Sequence, residues 1–288
     1  MRLCPRCSAL IAGREWACAG CGWSAEIRKG IPLLAPDAEG ADRAFDPGQF
    51  AVLFDLEGGN FWFRSRNALI KWALGTYFPR ARSMLELGCG TGFVASGIER
   101  DFPELALVAS ELYSSGAEFA KCRMQRAEVV QMDGRRITFQ DEFDVAGAFD
   151  VIEHIEEDEQ VLAQLHKCLR AHGGLLITVP QHRWLWSGVD AFAHHQRRYM
   201  RRELVGKVGR AGFRVRRCTS FVSLLLPAIF LSRLRVKDSQ RVDPLAEFRL
   251  PQAANAALEL IMRFERLMIR AGLSFPAGGS LLLVAEKI

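Results

Sequence analysis

From Ser83 onward the chain alternates short apolar runs with stretches whose apolar residues recur at steps of three and four. The runs are Met84–Leu87, Leu105–Ala109, Glu128–Gln131, Phe143–Phe149, Gly174–Val179, Phe213–Cys218 and Ser280–Glu286. Each has the length of a strand, and helical patterns separate the first six. That rhythm predicts an α/β domain over 81–288, a doubly wound, mostly parallel sheet of seven strands with a Rossmann-like layout. Its ligand belongs at the carboxyl ends of the strands. The rhythm breaks between Phe221 and Phe275, predicting a helical insertion over 222–275 ahead of the last strand. Phe221–Leu231 is strongly apolar, and Asn255–Arg270 carries Leu258, Ile261, Met262, Glu265 and Ile269 on a helical period.

Upstream, Pro36 to Asp46 is rich in Ala, Asp, Gly and Pro and reads as a linker. Phe50–Glu57 and Asn60–Arg66 then lead into an amphipathic helix through Ala68, Leu69, Trp72 and Leu74, so 36–80 is expected to be a linker and helical cap. Phe61, Trp62 and Phe63 read as packing over the sheet edge, and an aromatic wall facing the substrate is compatible with that. The first 35 residues differ in kind. Cys4 and Cys7, then Cys18 and Cys21, form two CxxC pairs ten residues apart, the pattern of a four-cysteine zinc ribbon. Four protein ligands close such a site, which makes the zinc structural.

Composition bounds the rest. With 288 residues, 49% of them apolar, the chain can bury one substantial core and a smaller module. A net charge of +5 with dispersed arginines permits nucleic acid or an anionic membrane as partner without indicating either. The start runs straight into Cys4-Pro-Arg-Cys7 with no secretory leader, and no apolar run approaches the ~20 residues of a spanning helix, so a cytoplasmic, reducing location is expected. Cys89, Cys122, Cys168 and Cys218 fall in predicted core elements and are expected to be buried thiols.

Chemistry enters at Glu86-Leu-Gly-Cys-Gly-Thr-Gly92-Phe93, where a strand runs into glycines that let backbone approach a ligand. A dinucleotide fingerprint needs a small residue three positions after Gly90, but Phe93 stands there and the third glycine comes one place early. With Glu111 ending the next apolar run, the spacing suits a ligand carrying an ammonium group and a ribose diol. Here the sequence resembles the class I S-adenosylmethionine (SAM) methyltransferases. The resemblance implies that Glu86, Gly88, Cys89, Gly90 and Gly92 hold the methionine part of SAM and that Glu111 takes the ribose hydroxyls. It also implies Asp133 at the adenine amino group, Phe149 at the cofactor and an antiparallel last strand. As a plain turn former, Asp133 would instead serve Gly134. Ile27–Leu34 further resembles the tail of small zinc-binding modules that occur alone or fused ahead of methyltransferases.

The acceptor side is expected after the fourth and fifth strands. Asp150, Glu153 and His154 resemble an acidic-x-x-Glu-His arrangement of ubiquinone-pathway O-methyltransferases and small-RNA 2′-O-methyltransferases, where it can hold a divalent metal. Without metal, Glu153 and His154 would fix the loop after the strand. The loop Val179–Tyr199 is rich in His, Trp and Arg, too costly in aromatics for a mere connector. It resembles an Asp…His-x-Arg-Arg-Tyr stretch of methyltransferases acting on small molecules, sugars or lipid-linked intermediates. His195 is a candidate general base or a loop tie, His182 and Tyr199 are weaker candidates, and one of Arg197 and Arg198 could meet an anionic substrate.

The leading expectation is therefore methyl transfer from SAM to a small-molecule, sugar or lipid-linked acceptor, at oxygen. An RNA methyltransferase using the ribbon to dock nucleic acid ranks lower, because the charge is modest and an Asn-Pro-Pro-Tyr-type motif is missing. A non-catalytic SAM-binding scaffold is disfavoured by the intact cofactor positions. Phe221–Leu231 with Arg233, Arg235 and Lys237 is a candidate peripheral membrane contact over 221–237, a lid or a dimer contact being the alternatives.

Overall fold

The computed structural model describes residues 1–13, 15–41, 46–235 and 250–288; part of the linker and the middle of the insertion, Lys237 included, lie outside them. The chain begins with β1 (Arg2–Leu3) and β2 (Leu10–Ile11), a small hairpin, followed by β3 (Glu26–Arg28) and β4 (Ile31–Leu33). Three helices come next: α1 (Pro36–Ala41), α2 (Gln49–Glu57) and α3 (Phe61–Tyr77). The alternating region follows as β5 (Ser83–Leu87), α4 (Phe93–Asp101), β6 (Ala106–Glu111), α5 (Ser114–Arg123), β7 (Glu128–Gln131) and β8 (Phe143–Phe149). It continues through α6 (Asp158–Cys168), β9 (Leu169–Pro180), the short α7 (Gly188–Phe192), α8 (Arg201–Arg210) and β10 (Phe213–Phe221). The insertion supplies α9 (Leu226–Arg235) and α10 (Gln252–Arg270), and β11 (Ser280–Lys287) closes the chain.

All seven predicted strands lie in one sheet, in the order β10-β11-β9-β8-β5-β6-β7. β5 to β9 pair in parallel, while β11 runs antiparallel between β10 and β9. Buried on both faces, the strands read as continuous apolar runs instead of alternating ones. Successive residues still feed opposite layers, because strand side chains have a period of two. Leu281 and Leu283 join the core that holds α6 and α8, whereas Leu282 and Val284 join the core that holds α3, α4 and α10.

The sheet is wider than the sequence pattern predicts. Beyond β7 it gains β4, parallel to β7 at Leu33 and Gln131, and then β3 as the edge. The Gln131 amide exchanges hydrogen bonds with the Ala35 backbone, accepting from N–H at 2.9 Å and donating to C=O at 2.8 Å. Trp16 packs edge-on against Phe139 and its indole N–H donates to Glu128. Strands of two or three residues are too short to carry a periodic signal, so sequence gave no warning that the cysteine module extends the sheet. The linker begins as a helix, α1, with Pro36 at its first position, and Glu39 accepts from the backbone and hydroxyl of Ser114 at the start of α5. Cys89, Cys168 and Cys218 are buried as expected, but Cys122 is exposed, on the outer side of α5. Among the described residues no helix is long and apolar enough to cross a membrane.

Candidate active site

The strand order reverses beside β5, whose neighbours β6 and β8 lead the chain away in opposite directions, and a crevice opens there at the carboxyl ends. It holds a cavity of about 800 Å³. The β5 turn carries three left-handed glycines, Gly88, Gly90 and Gly92, and the first two line the cavity floor. A Cβ on Gly88 would lie 2.6 Å from Val151 Cγ2, so this glycine lets the turns after β5 and β8 touch. At Gly90 a Cβ would meet nothing within 4 Å, and the turn presents bare backbone to the cavity. Gly92 departs from expectation: it does not line the cavity, and a Cβ there would meet Ala120 Cα at 2.8 Å. Its place is to let α4 start close against α5.

Acidic side chains converge above the turn. Glu111 closes it: one carboxylate oxygen accepts from Gly90 N–H at 2.8 Å, the other from Leu112 and Tyr113 N–H at 2.9 and 3.1 Å. Burial raises its pKa, against the pull of those bonds. Glu86 is 2% exposed and its Oε2 has no hydrogen-bond partner. Burial pushes its carboxyl up to about 8, although Arg66 draws it down. Asp133 caps the turn after β7, accepting from Arg135 N–H at 2.8 Å, as a turn former would, and it also lines the cavity. Cys89 and Phe149 line the cavity as well. Phe61, Trp62 and Phe63, from the start of α3, line the cavity, and Phe61 and Trp62 also pack against the core on that side of the sheet.

Three further residues went unforeseen. Arg66 pairs with Asp150, stacks over Trp62 at 4.5 Å and supplies positive charge among the carboxylates. Glu57 accepts from Thr91 and from Arg123, pinning α2 to the glycine turn. The Arg66–Asp150, Glu57–Thr91 and Glu57–Arg123 contacts join residues 34 to 84 positions apart, and no local pattern announces them.

The far wall comes from the loops after β8 and β9. Asp150 sits at φ 57°, a strained value for a non-glycine residue, held by Arg66 and by the Thr178 hydroxyl at 3.0 Å. Glu153 is fully buried with neither carboxyl oxygen partnered, and burial beside the Asp150 charge holds its pKa well above the ordinary range. Its ligand atoms gather with those of His154 and His195 within 4.8 Å. Asp150, expected in this group, is committed to Arg66 instead. His195 Nδ1 lies 2.9 Å from Asp190 Oδ1, and the Arg198 guanidinium grips both Asp190 oxygens at 2.7 and 2.9 Å. Burial alone would raise the Asp190 carboxyl, but His195 and Arg198 outweigh it and hold it far below the usual range. An ionised Asp190 requires His195 Nδ1 to carry the proton, leaving Nε2 as acceptor on a residue that lines the cavity.

Tyr199 corrects an expectation. It is fully buried outside the cavity, donates to Asp158 at 2.5 Å and has its pKa raised by burial, so it ties α6 to the loop and takes no place among catalytic groups. Arg197 also turns to Asp158, at 2.9 Å. His182 is buried away from the cavity beside Trp184, with both ring nitrogens unpartnered.

Residues 85–177, which carry the floor and much of the far wall, match the family model of a methyltransferase domain. A Mycobacterium tuberculosis protein named "probable S-adenosylmethionine-dependent methyltransferase" is 29% identical over 209 residues, 70% of this chain and 71% of the relative. The chain is a SAM-dependent methyltransferase. A malonyl-[acyl-carrier protein] O-methyltransferase of Priestia megaterium is 25% identical over 112 residues, 38% of the methyltransferase and 41% of that relative. The fold also matches a SAM-dependent methyltransferase of Thermotoga maritima, with a TM-score of 0.52 and 16% identity, over 84% of the methyltransferase and 95% of that chain. The orphaned Glu86 oxygen and the bare Gly90 backbone fit a cationic cofactor laid over the β5 turn.

Proposed function

We propose that the enzyme methylates oxygen on a small-molecule or lipid-linked acceptor. The observation that carries this reading is the Asp190–His195 pair facing the same cavity as the glycine turn. SAM, when bound, supplies an electrophilic methyl group. Glu86 and the Gly88 and Gly90 backbone, which line the cavity with Glu111 and Asp133, would hold its amino-acid end, Glu111 its ribose and Asp133 its adenine. His195 Nε2 takes the proton from the acceptor hydroxyl, and Asp190 steadies the imidazolium that results. On the acceptor side Leu185, Val189, Ile229 and Leu258 line the cavity, an apolar enclosure suited to a hydrocarbon-bearing acceptor. The Priestia relative named for O-methyl transfer agrees with oxygen as target.

The unpartnered Glu153 carboxyl favours a second arrangement of the same step. A divalent cation held by Glu153, His154 and His195 would ionise Glu153 and lower the pKa of an acceptor hydroxyl, with Asp190 orienting His195 from behind. An RNA acceptor has less support: Arg2 and Trp16 of the cysteine module are engaged with Glu128 at the start of β7. The test is an assay with methyl-labelled SAM against lipid extract, small-molecule pools and RNA. Label is expected in the first two; label in RNA alone overturns the acceptor class, and no label anywhere despite SAM binding returns the protein to a non-catalytic scaffold.

The module's own ligand belongs to the same reading. Cys4 and Cys21 sulfurs lie 3.7 Å apart and Cys7 and Cys18 sulfurs 3.6 Å apart, with no disulfide among them. Zn–S bonds of about 2.3 Å in a tetrahedron give sulfur edges of about 3.7 Å, so the four sulfurs fit zinc. Elemental analysis is expected to find one zinc per chain. Chelation should lower the melting temperature as β3 and β4 loosen from β7, and a metal-free protein of unchanged stability would refute the assignment.

A further inference from the structure

The outer side of α10 carries Ala253, Ala257, Leu260, Phe264, Leu267 and Ala271, spaced four, three, four, three and four residues apart and all exposed. At 100° per residue these positions, with Ile261 and Met268, span an arc of roughly 120°. Leu260 is 68% exposed and Phe264 and Leu267 each 59%, so the stripe faces away from the fold. The opposite side is satisfied: Met262 and Ile269 enter the core, and Glu265 accepts the N–H groups of Val222, Ser223 and Leu224 at 2.6 to 2.8 Å. That carboxylate sets α10 beside the start of α9, where Leu224, Phe230 and Leu231 are also exposed. Trp184, 52% exposed, leans edge-on against Phe230 and joins the loop over the cavity to this apolar surface.

Charge selects the occupant. One edge of the stripe is a row of Arg263, Arg266 and Arg270, and the acid among them, Glu259, is already held by Arg64 and Arg263. In a two-fold pairing of α10 helices, that row would face either the other helix's arginine row, if antiparallel, or its Ile261 and Met268 edge, if parallel, with no free carboxylate to meet it in either case. A bilayer offers hydrocarbon to the stripe and phosphate to the arginines together. We propose that α10, with the exposed side of α9 and Trp184, is a docking face for an anionic lipid surface. The inner sides of the same helices, through Ile229 and Leu258, line the active-site cavity, so docking places the acceptor end of the site beside the bilayer. This deepens the lipid-linked acceptor reading and rests on it only for its purpose.

The test is co-sedimentation of the full chain with phosphatidylcholine vesicles, with and without phosphatidylglycerol. Wild type is expected to pellet with the anionic vesicles and to be released by high salt. Leu260→Glu/Phe264→Glu, and separately Arg263→Glu/Arg270→Glu, should each weaken vesicle binding roughly tenfold or more. Calorimetric SAM affinity, unchanged in both variants, shows that the fold and the cofactor site survive, so a failure here is distinct from failure of the methyl-transfer reading. A wild type that ignores anionic vesicles overturns the proposal. So does a dimer in light scattering that Leu260→Glu/Phe264→Glu dissolves, because a second copy then covers the face.

Discussion

Replacing Glu111 with alanine should cost the enzyme nearly all measurable SAM binding. The carboxylate does two jobs at once: it reaches the cavity, and it is the acceptor for the N–H groups of Gly90, Leu112 and Tyr113. Truncation removes a ligand contact and strands those donors in a site that is 7% exposed. A loss of about 3 kcal/mol, roughly a hundredfold in affinity, is expected by calorimetry, with Glu111→Gln falling between. Affinity near that of wild type would detach Glu111 from the ligand. The same titration carries a pH signature from Glu86, whose carboxyl is pushed up to about 8 by burial. A cationic ligand favours its carboxylate, so binding below pH 8 releases a proton and affinity rises as pH rises toward 8. Above that the ligand's own amino group, with an ordinary pKa of about 7.7–8.0, loses its charge and the gain ends. Stability measured without added ligand runs the other way. A carboxyl raised from 4.5 to about 8 favours folding fully below pH 4.5, and that contribution is lost as pH climbs through 8. Glu86→Gln should flatten both profiles.

Such a site was partly legible in the sequence because its floor is local. Glu86 to Gly92 lies within one turn, and the strand ends at Glu111 and Asp133 follow from the alternation of strand and helix, so the sequence pattern by itself places three elements on one crevice. Gly92 shows the limit: its residue type signals a left-handed backbone but not which side of the turn it faces, and packing against Ala120 decided that. Arg66, Glu57 and Arg123 were invisible because they meet their partners only after α2 and α3 fold over the sheet. Tyr199 misled for a related reason. A polar residue in a His- and Arg-rich loop resembles a catalytic group, yet a core beneath that loop takes its ring and Asp158 takes its hydroxyl. The exposed stripe on α10 escaped notice because helical periodicity identifies an apolar face without telling which of two faces is buried.

His195→Ala is expected to lower kcat by roughly 10² to 10⁴ while leaving SAM affinity within a factor of about two. The split follows from position: His195 stands on the loop after α7, beyond Asp190, and touches none of the residues of the glycine turn in the hydrogen bonds it makes. Asp190→Asn should share the loss of kcat, because an amide cannot hold Nδ1–H and Nε2 in the same roles as a carboxylate. It should also lower the melting temperature, since Arg198 and the Ser187 backbone lose an ionised partner that is 1% exposed. Glu153→Gln separates the two arrangements of the step. If His195 acts alone as base, the variant keeps most of its turnover and chelators have no effect on either protein beyond what they do at the four-cysteine cluster. If a cation sits among Glu153, His154 and His195, Glu153→Gln falls as far as His195→Ala, and turnover of wild type returns on adding back a divalent metal. A His195→Ala protein with wild-type kcat would defeat both arrangements, leaving the Asp190 pair as a tie that only shapes the loop over the cavity.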